Sequence, residues 1–305
     1  MSGNEERGHG SRSEKEFLAE RFEAHRGHLR AVAYRMLGSL SEADDAVQEA
    51  WFKLSRSDTG GVQNLGGWLT TVVGRVCLDM LRTRRTRHEE PLDDLDARGV
   101  RAPEPLVSSA SGVDPEQEVL LADSVGLALL VVLETLTPAE RLAFVLHDLF
   151  AVPYEEVAPV VGRTPTAARQ LASRARRRVQ GGAPAPDADP ARQREVVDAF
   201  LAAARDGDFD GLVAVLAPDV VVRSGAVVVR GAADVAAGAQ TYAHLARVSR
   251  PALVNGVAGV VVVEGGRAVR VLAFTVADGR IAAIDMVSDP GLLDRLDLTV
   301  LDVDG

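Results

Sequence analysis

A single cysteine, Cys77, stands in 305 residues. That excludes an internal disulfide and any cysteine-based zinc site. Six histidines (His9, His25, His28, His88, His147, His244) are scattered without metal-ligand spacing, so no metal is expected. No run approaches the ~20 uninterrupted apolar residues of a membrane span. The longest apolar-looking run, Val254 to Val263, is broken by Asn255. The N-terminus, MSGNEERGHGSRSEKEF, is charged and lacks an apolar signal core, so the expected location is cytoplasmic, with no membrane partner. Aromatics make up only 4%. Lysine occurs only at positions 15 and 53, so nearly every cation is arginine, the residue that suits bidentate contacts to phosphate and guanine. Genomic composition produces the same bias.

What remains is 47% apolar, too much for a wholly disordered chain and, at this length, enough for two or three domains. The net charge of −10 argues at first against nucleic acid. Its distribution argues the other way. Val157 to Pro186 carries six arginines and no acid, and Arg75 to Arg87 carries five arginines against Asp79. Residues 183–305 carry a net of −6. Two local basic elements therefore lie on an acidic background.

Texture divides the chain. Residues 13–88 read as helical. Residues 89–115, rich in Pro, Asp, Ser and Gly, read as a flexible linker. Residues 116–180 read as helical again, and 189–305 alternate helix and strand signals after a second short linker. In the first helical part Ser41 is the expected cap of an amphipathic helix. Ala43, Ala46, Val47, Ala50, Trp51 and Leu54 form its inner face, with Asp44, Asp45, Gln48 and Glu49 opposite. Asn64 is the expected cap of the next, with Leu69, Val72, Val73, Val76 and Met80 inward and an arginine-rich end.

In the second helical part Thr137-Pro138-Ala139-Glu140 supplies a cap, a first-turn proline and an acid. A short helix (Tyr154 to Val160), a turn at Gly162-Arg163 and a helix from Thr164-Pro165 follow. The last buries Ala168, Leu171, Ala172, Ala175 and Val179 and presents Thr166, Arg169, Gln170, Ser173, Arg174, Arg176 and Arg177. Short helix, glycine turn and arginine-studded helix is the helix-turn-helix pattern, whose second helix enters the major groove. If ~4 of its arginines meet phosphate, affinity falls with salt at a log–log slope of about −3 to −4. Each feature alone has a plainer reading as a solvated face.

Their arrangement adds to this. DDAVQEAWFKL (44–54) with WLTTVVGRVCLDMLRTRR (68–85) resembles region 2 of the bacterial sigma-70 family. LTPAERLAFVLHDLF (136–150) with PYEEVAPVVGRTPTAARQLASRARR (153–177) resembles region 4. Region 3 is absent between them, as in the extracytoplasmic-function (ECF) group. The resemblance implies two all-α domains, region 2 and region 4, that bind core RNA polymerase and promoter DNA without a cofactor and without catalytic residues. It puts Asp44, Asp45, Gln48 and Glu49 against the β′ clamp helices, with the β flap as a further polymerase contact. It puts Asn64, Trp68, Arg75, Arg82, Arg84 and Arg85 at the −10 element, beside a base-capturing loop at 55–64. Arg163, Thr164, Thr166, Arg169, Gln170, Arg174, Arg176 and Arg177 fall at the −35 element.

Residues 189–305 read as α+β, helices packed on one curved antiparallel sheet, and resemble the SnoaL-like cone of the NTF2-like superfamily. DGDFDGLVAVLAPDVVVRS (206–224) and VLAFTVADGRIAAIDMVSDPGLLDRL (271–296) carry that resemblance. A sigma-J-like ECF subgroup has such an extension and a Pro-Glu-Pro linker motif, matched by Pro103-Glu104-Pro105. For this chain it implies a regulatory domain in intramolecular contact with the sigma regions. The alternative is a small-molecule-binding or cyclase/isomerase-type enzyme domain fused to a DNA-targeting module. It would use His244 with Tyr242, Asp219 or Asp285. A stand-alone helix-turn-helix repressor is a third possibility. Cys77, on an apolar helix face, reads as inert core.

Overall fold

Three helices open the chain in the computed structural model, which describes residues 6–57, 64–88, 102–109, 126–182, 187, 189–225 and 227–301. They are α1 (Glu6–Leu37), α2 (Leu40–Arg56) and α3 (Leu65–His88). Gly38 leaves α1 in the left-handed region (φ 69°), so the chain restarts at once. The cap of α2 is accordingly Ser39, not Ser41: its backbone is extended and its carbonyl accepts from the Ala43 N–H at 3.0 Å. Ala43, Ala46, Val47, Ala50 and Leu54 are buried as the periodicity requires, while Trp51 at the edge of that face is half-buried. Asn64 caps α3, its Oδ1 accepting from the Gly67 N–H at 3.0 Å. Phe22, Leu29, Val32 and Met36 of α1 close the bundle core, with the Phe22 and Trp51 rings 5.1 Å apart.

The helix-turn-helix follows. Thr137 and Glu140 form a reciprocal capping box at the start of α5 (Pro138–Phe144), which runs on into a π turn, Val145–Leu149. Then come α6 (Tyr154–Val161) and α7 (Pro165–Gly182). Gly162 (φ 67°) ends α6, and the next N–H, of Arg163, reaches back to the Ala158 carbonyl at 2.9 Å. This is the closure that a glycine in the left-handed region permits. Ala168, Ala172 and Ala175 are fully buried, so α7 packs close through small side chains.

The chain divides into two compact units, Met1–Glu90 with Leu136–Ala175, and Pro91–Thr135 with Arg176–Gly305. Within the first, α3 packs on α5 and α6. A Cβ at Gly74 would lie 3.1 Å from methyl carbons of Leu142 and Leu146. The buried Arg141 guanidinium donates to the Met36 carbonyl at 2.8 Å, tying α5 to the end of α1.

The second unit is α+β. Its elements are β1 (Val107–Ser109), α4 (Leu127–Glu134), α8 (Pro190–Asp206), α9 (Phe209–Val215), β2 (Leu216–Ser224), β3 (Val227–Arg230), α10 (Ala232–Thr241), α11 (Ala243–Arg247), β4 (Ser249–Val254), β5 (Val257–Glu264), β6 (Arg267–Ala277), β7 (Arg280–Val287) and α12 (Pro290–Leu293). The sheet order is β1-β4-β5-β6-β7-β2-β3. Helices packed with a sheet that ends in a β4–β7 meander give the α+β architecture expected from the sequence. Phe200, Leu212, Val260, Phe274 and Ile284 anchor its core.

Two features differ from the sequence reading. The sheet is mixed, because β2 and β7 run parallel. The helices α10 and α11 carry the chain from the β2–β3 hairpin to the far side, and the returning meander ends alongside β2 in the same sense. The segment read as a linker also contributes an edge strand: β1 pairs antiparallel with β4, Val107 opposite Val254. The Leu106 N–H donates to Asn255 Oδ1 at 3.2 Å, and the Asn255 N–H returns to the Leu106 carbonyl at 2.7 Å. Asn255 holds φ 51° to do so, and Arg295 approaches Glu104 at 4.0 Å. The helix α4 packs on β6 and β7 of this unit.

Candidate nucleic-acid interface

On α7 the apolar stripe turns inward and the polar stripe outward. Thr164, Thr166, Arg169, Gln170, Arg174 and Arg177 are exposed, as is Arg163 in the turn before; Arg176 is half-buried. Thr164 Oγ1 accepts from the Ala167 N–H at 3.3 Å, which fixes the first turn. Arg169 lies over the Tyr154 ring, 5.2 Å from its centroid. That ring stacks on His147 at 3.7 Å, and His147 Nδ1 donates to the Val152 carbonyl at 2.9 Å. The guanidinium thus rests on a two-ring platform while its donors stay outward. Arg174 Nε donates to Glu140 Oε1 at 2.9 Å, and the Glu140 side chain is 6% exposed. Arg174 therefore fastens α7 to the cap of α5 rather than standing free.

On α3, Asn64, Arg75, Arg82 and Arg85 are exposed and Trp68 is half-buried. Asn64, Trp68 and Arg75 share a groove with Glu155 and Glu156 of α6. Arg82 is 3.6 Å from Asp79 one turn back. Arg84 instead pairs with Glu42, both about three-quarters buried, and so bridges α3 to α2. Most of the expected base-capturing loop, 58–63, lies outside the described residues, as does the Arg87 side chain.

On α2, Asp44, Asp45, Gln48 and Glu49 are all exposed on one face. Asp44 is gripped by Arg30 through bonds of 2.7 and 3.1 Å, and Glu49 pairs with Lys53 at 3.3 Å. Asp45 and Gln48 lie between these two tethered carboxylates.

The residues that the sequence reading did not single out are the supports: Arg30, Glu42, His147 and Tyr154, and Glu140 beyond its capping role. Apart from His147, each acts across a distance in sequence that no local pattern carries, up to 42 residues for Glu42 with Arg84. Cys77 is fully buried and burial pushes its thiol up, in keeping with an inert core position.

Among the groups named for an acid–base enzyme, Tyr242 is half exposed at 50%. His244 and Asp219 are exposed. Asp285 is buried against Arg223 at 3.1 Å, while its neighbours Ile284 and Met286 face the other side of the sheet, into a cavity. Burial holds the Asp285 carboxyl above the usual carboxylate range, although Arg223 pulls it down.

This geometry defines a sigma-70-type transcription factor, and the comparisons agree. Residues 21–87 match the family described as Sigma-70 region 2, and residues 126–179 match Sigma-70, region 4. The ECF RNA polymerase sigma factor SigJ of Mycobacterium tuberculosis is 41% identical over 294 residues, covering 88% of this chain and 91% of that one. A second M. tuberculosis chain, named "Probable ECF RNA polymerase sigma factor SigI", is 37% identical over 288 residues, covering 93% and 97%. The crystal structure of M. tuberculosis SigJ superposes with a TM-score of 0.72 at 36% identity, covering 94% of this chain and all of that one. The chain belongs to the ECF sigma factors: it binds core RNA polymerase and directs promoter recognition, with a C-terminal α+β domain fused behind the sigma regions.

Proposed function

We propose that α7 reads the −35 element, α3 the −10 element, and the outward acidic face of α2 grips the β′ clamp helices, with the second helical part also meeting the β flap. The observation that carries this is the outward face of α7. Thr166, Arg169 and Gln170 occupy its exposed first turns, where a recognition helix meets base edges. Arg163 and Arg177 flank them as phosphate contacts, while Arg174 and Arg84 position their helices. The place of action is the cytoplasm, beside the polymerase.

The −35 and −10 elements are 25 base pairs apart by name, about 85 Å of duplex at 3.4 Å per pair. Here α6 touches α3, and α7 follows α6 after three residues. The two readers cannot span that distance in this arrangement, so engagement requires α3 and α5 to part. The C-terminal domain modulates that step through the linker, whose residues 106–109 it holds by β1–β4 pairing and Asn255.

The experiment is promoter-dependent transcription with purified core polymerase, comparing the wild-type chain with Asn255→Gly. Glycine keeps the positive φ and removes only the side-chain bond to Leu106. A several-fold change in transcript yield or in its salt dependence is expected. Equal activity would remove the modulatory role, and a lack of any promoter-dependent transcript would remove the promoter assignments.

A further inference from the structure

The C-terminal domain encloses a cavity of about 420 Å³ between its sheet and the helices α8, α10 and α11. Its walls are apolar, with Phe200 of α8, Leu272 of β6 and Ile284 of β7 among them. A void of this size forfeits dispersion contacts on every wall, and a well-packed core would close it. Gly238, in the middle of α10, also lines it, and a Cβ built there meets no atom within 4 Å, so the space is open up to the helix backbone. The mouth is rimmed by Val227 and Tyr242, 62% and 50% exposed.

One cation reaches this lining. Ser249, Val262 and Arg270 form a row across β4, β5 and β6, and all three lie on the cavity face. The Arg270 guanidinium sits over the ring of Tyr242, 4.9 Å from its centroid, which places the cation at the mouth. The one carboxylate in the lining, Asp234, is exposed at the opposite end of α10. Eight helical residues, about 12 Å, separate it from Tyr242. An apolar hollow with a single guanidinium at one end suits a molecule with an apolar body and one acidic group.

We propose that this cavity is a binding site for a small amphiphilic acid, with its hydrocarbon or aromatic part inside and its anionic group on Arg270. The row includes Ser249 on β4, the strand whose other half pairs with β1. The assignment concerns binding alone and does not depend on the promoter reading.

The full chain is titrated with the fluorescent aromatic sulfonate 1-anilinonaphthalene-8-sulfonate, and the bound probe is competed with decanoate, decanol or decylamine. One saturable site per chain is expected, displaced by decanoate at least tenfold more effectively than by decylamine. Arg270→Gln weakens decanoate at least tenfold and leaves decanol nearly unchanged. Gly238→Leu fills the hollow from a helical position that favours leucine over glycine, and abolishes saturable binding while circular dichroism stays native. Absence of a saturable site, equal competition by decylamine, or an undiminished probe signal in Gly238→Leu overturns the proposal. If Gly238→Leu fails to fold, the headgroup series and Arg270→Gln decide it.

Discussion

The two halves of this chain keep their polar groups in opposite ways. In the sigma half, α2, α3 and α7 bury small and branched apolar residues and turn their charges to solvent. There Arg30, Glu42 and Glu140 steady some of those charges. In the C-terminal half the sheet turns inward around a hollow, and Asp285, the one buried carboxylate among its described residues, pairs with Arg223 on the opposite face. A long polyanion needs convex, hydrated, cationic ridges. A small apolar molecule needs a concave dry surface with few polar groups. The contrast separates a surface built for nucleic acid from one built for something small, and each can be broken independently.

The largest effect is expected on α7. Arg169→Ala should cost about 1–3 kcal/mol of promoter binding by holoenzyme and relax selectivity at the −35 element. Arg177→Ala should weaken all duplexes alike and reduce the salt slope by about 1. Fluorescence anisotropy with matched and scrambled −35 duplexes distinguishes these outcomes, and equal losses on both duplexes for Arg169→Ala would make it a phosphate contact.

Next comes the support beneath that ridge. Glu140→Ala removes both the capping box and the Arg174 anchor, and should lower stability by about 1–2 kcal/mol in urea denaturation. Glu140→Ala and Arg174→Ala should be non-additive in a double-mutant cycle; simple additivity would mean that the pair carries no coupling.

A smaller effect is expected where the two sigma regions meet. Gly74→Leu cannot fit against Leu142 and Leu146 at 3.1 Å without their moving. It should part α3 from α5 and raise promoter-dependent transcription severalfold at limiting factor concentration. Reduced transcription from a natively folded variant would count against a closed resting form.

The smallest effect belongs to the C-terminal half and to pH. Because burial raises the Asp285 carboxyl, the folded chain holds its proton more tightly than the unfolded chain. That stabilising increment is complete below about pH 4 and is lost as pH rises through the native value. Measured between pH 4 and 7, the stability of wild type relative to Asp285→Asn should therefore fall with pH. A relative stability that rises would reverse the sign assigned to burial.

Much of this was legible in one dimension. The helical stripes of α2, α3 and α7 are local periodicities, so Asp44, Asp45, Gln48, Thr166, Arg169 and Gln170 could be assigned to outward faces before any coordinates. The hairpin turns at Gly265-Gly266 and Asp278-Gly279 are local as well, since few residues tolerate the positive φ they hold. Less visible was anything set by pairing across the chain. A proline- and aspartate-rich stretch has no local signal that its Val107 will meet Val254. Nor does an arginine announce whether it will face solvent, as Arg85 does, or brace a neighbour, as Arg84 does.

Sequence alone, then, determined the kinds of element, their inward stripes, and the concentration of arginine on two helices, because these depend on residues within a few turns of one another. Tertiary structure decided which of those arginines brace a neighbouring helix, that the connector becomes an edge strand, and that a hollow with Arg270 at its mouth exists at all. Those outcomes are settled by contacts between residues far apart in the chain, whose meeting is favoured only once the rest of the core has been buried.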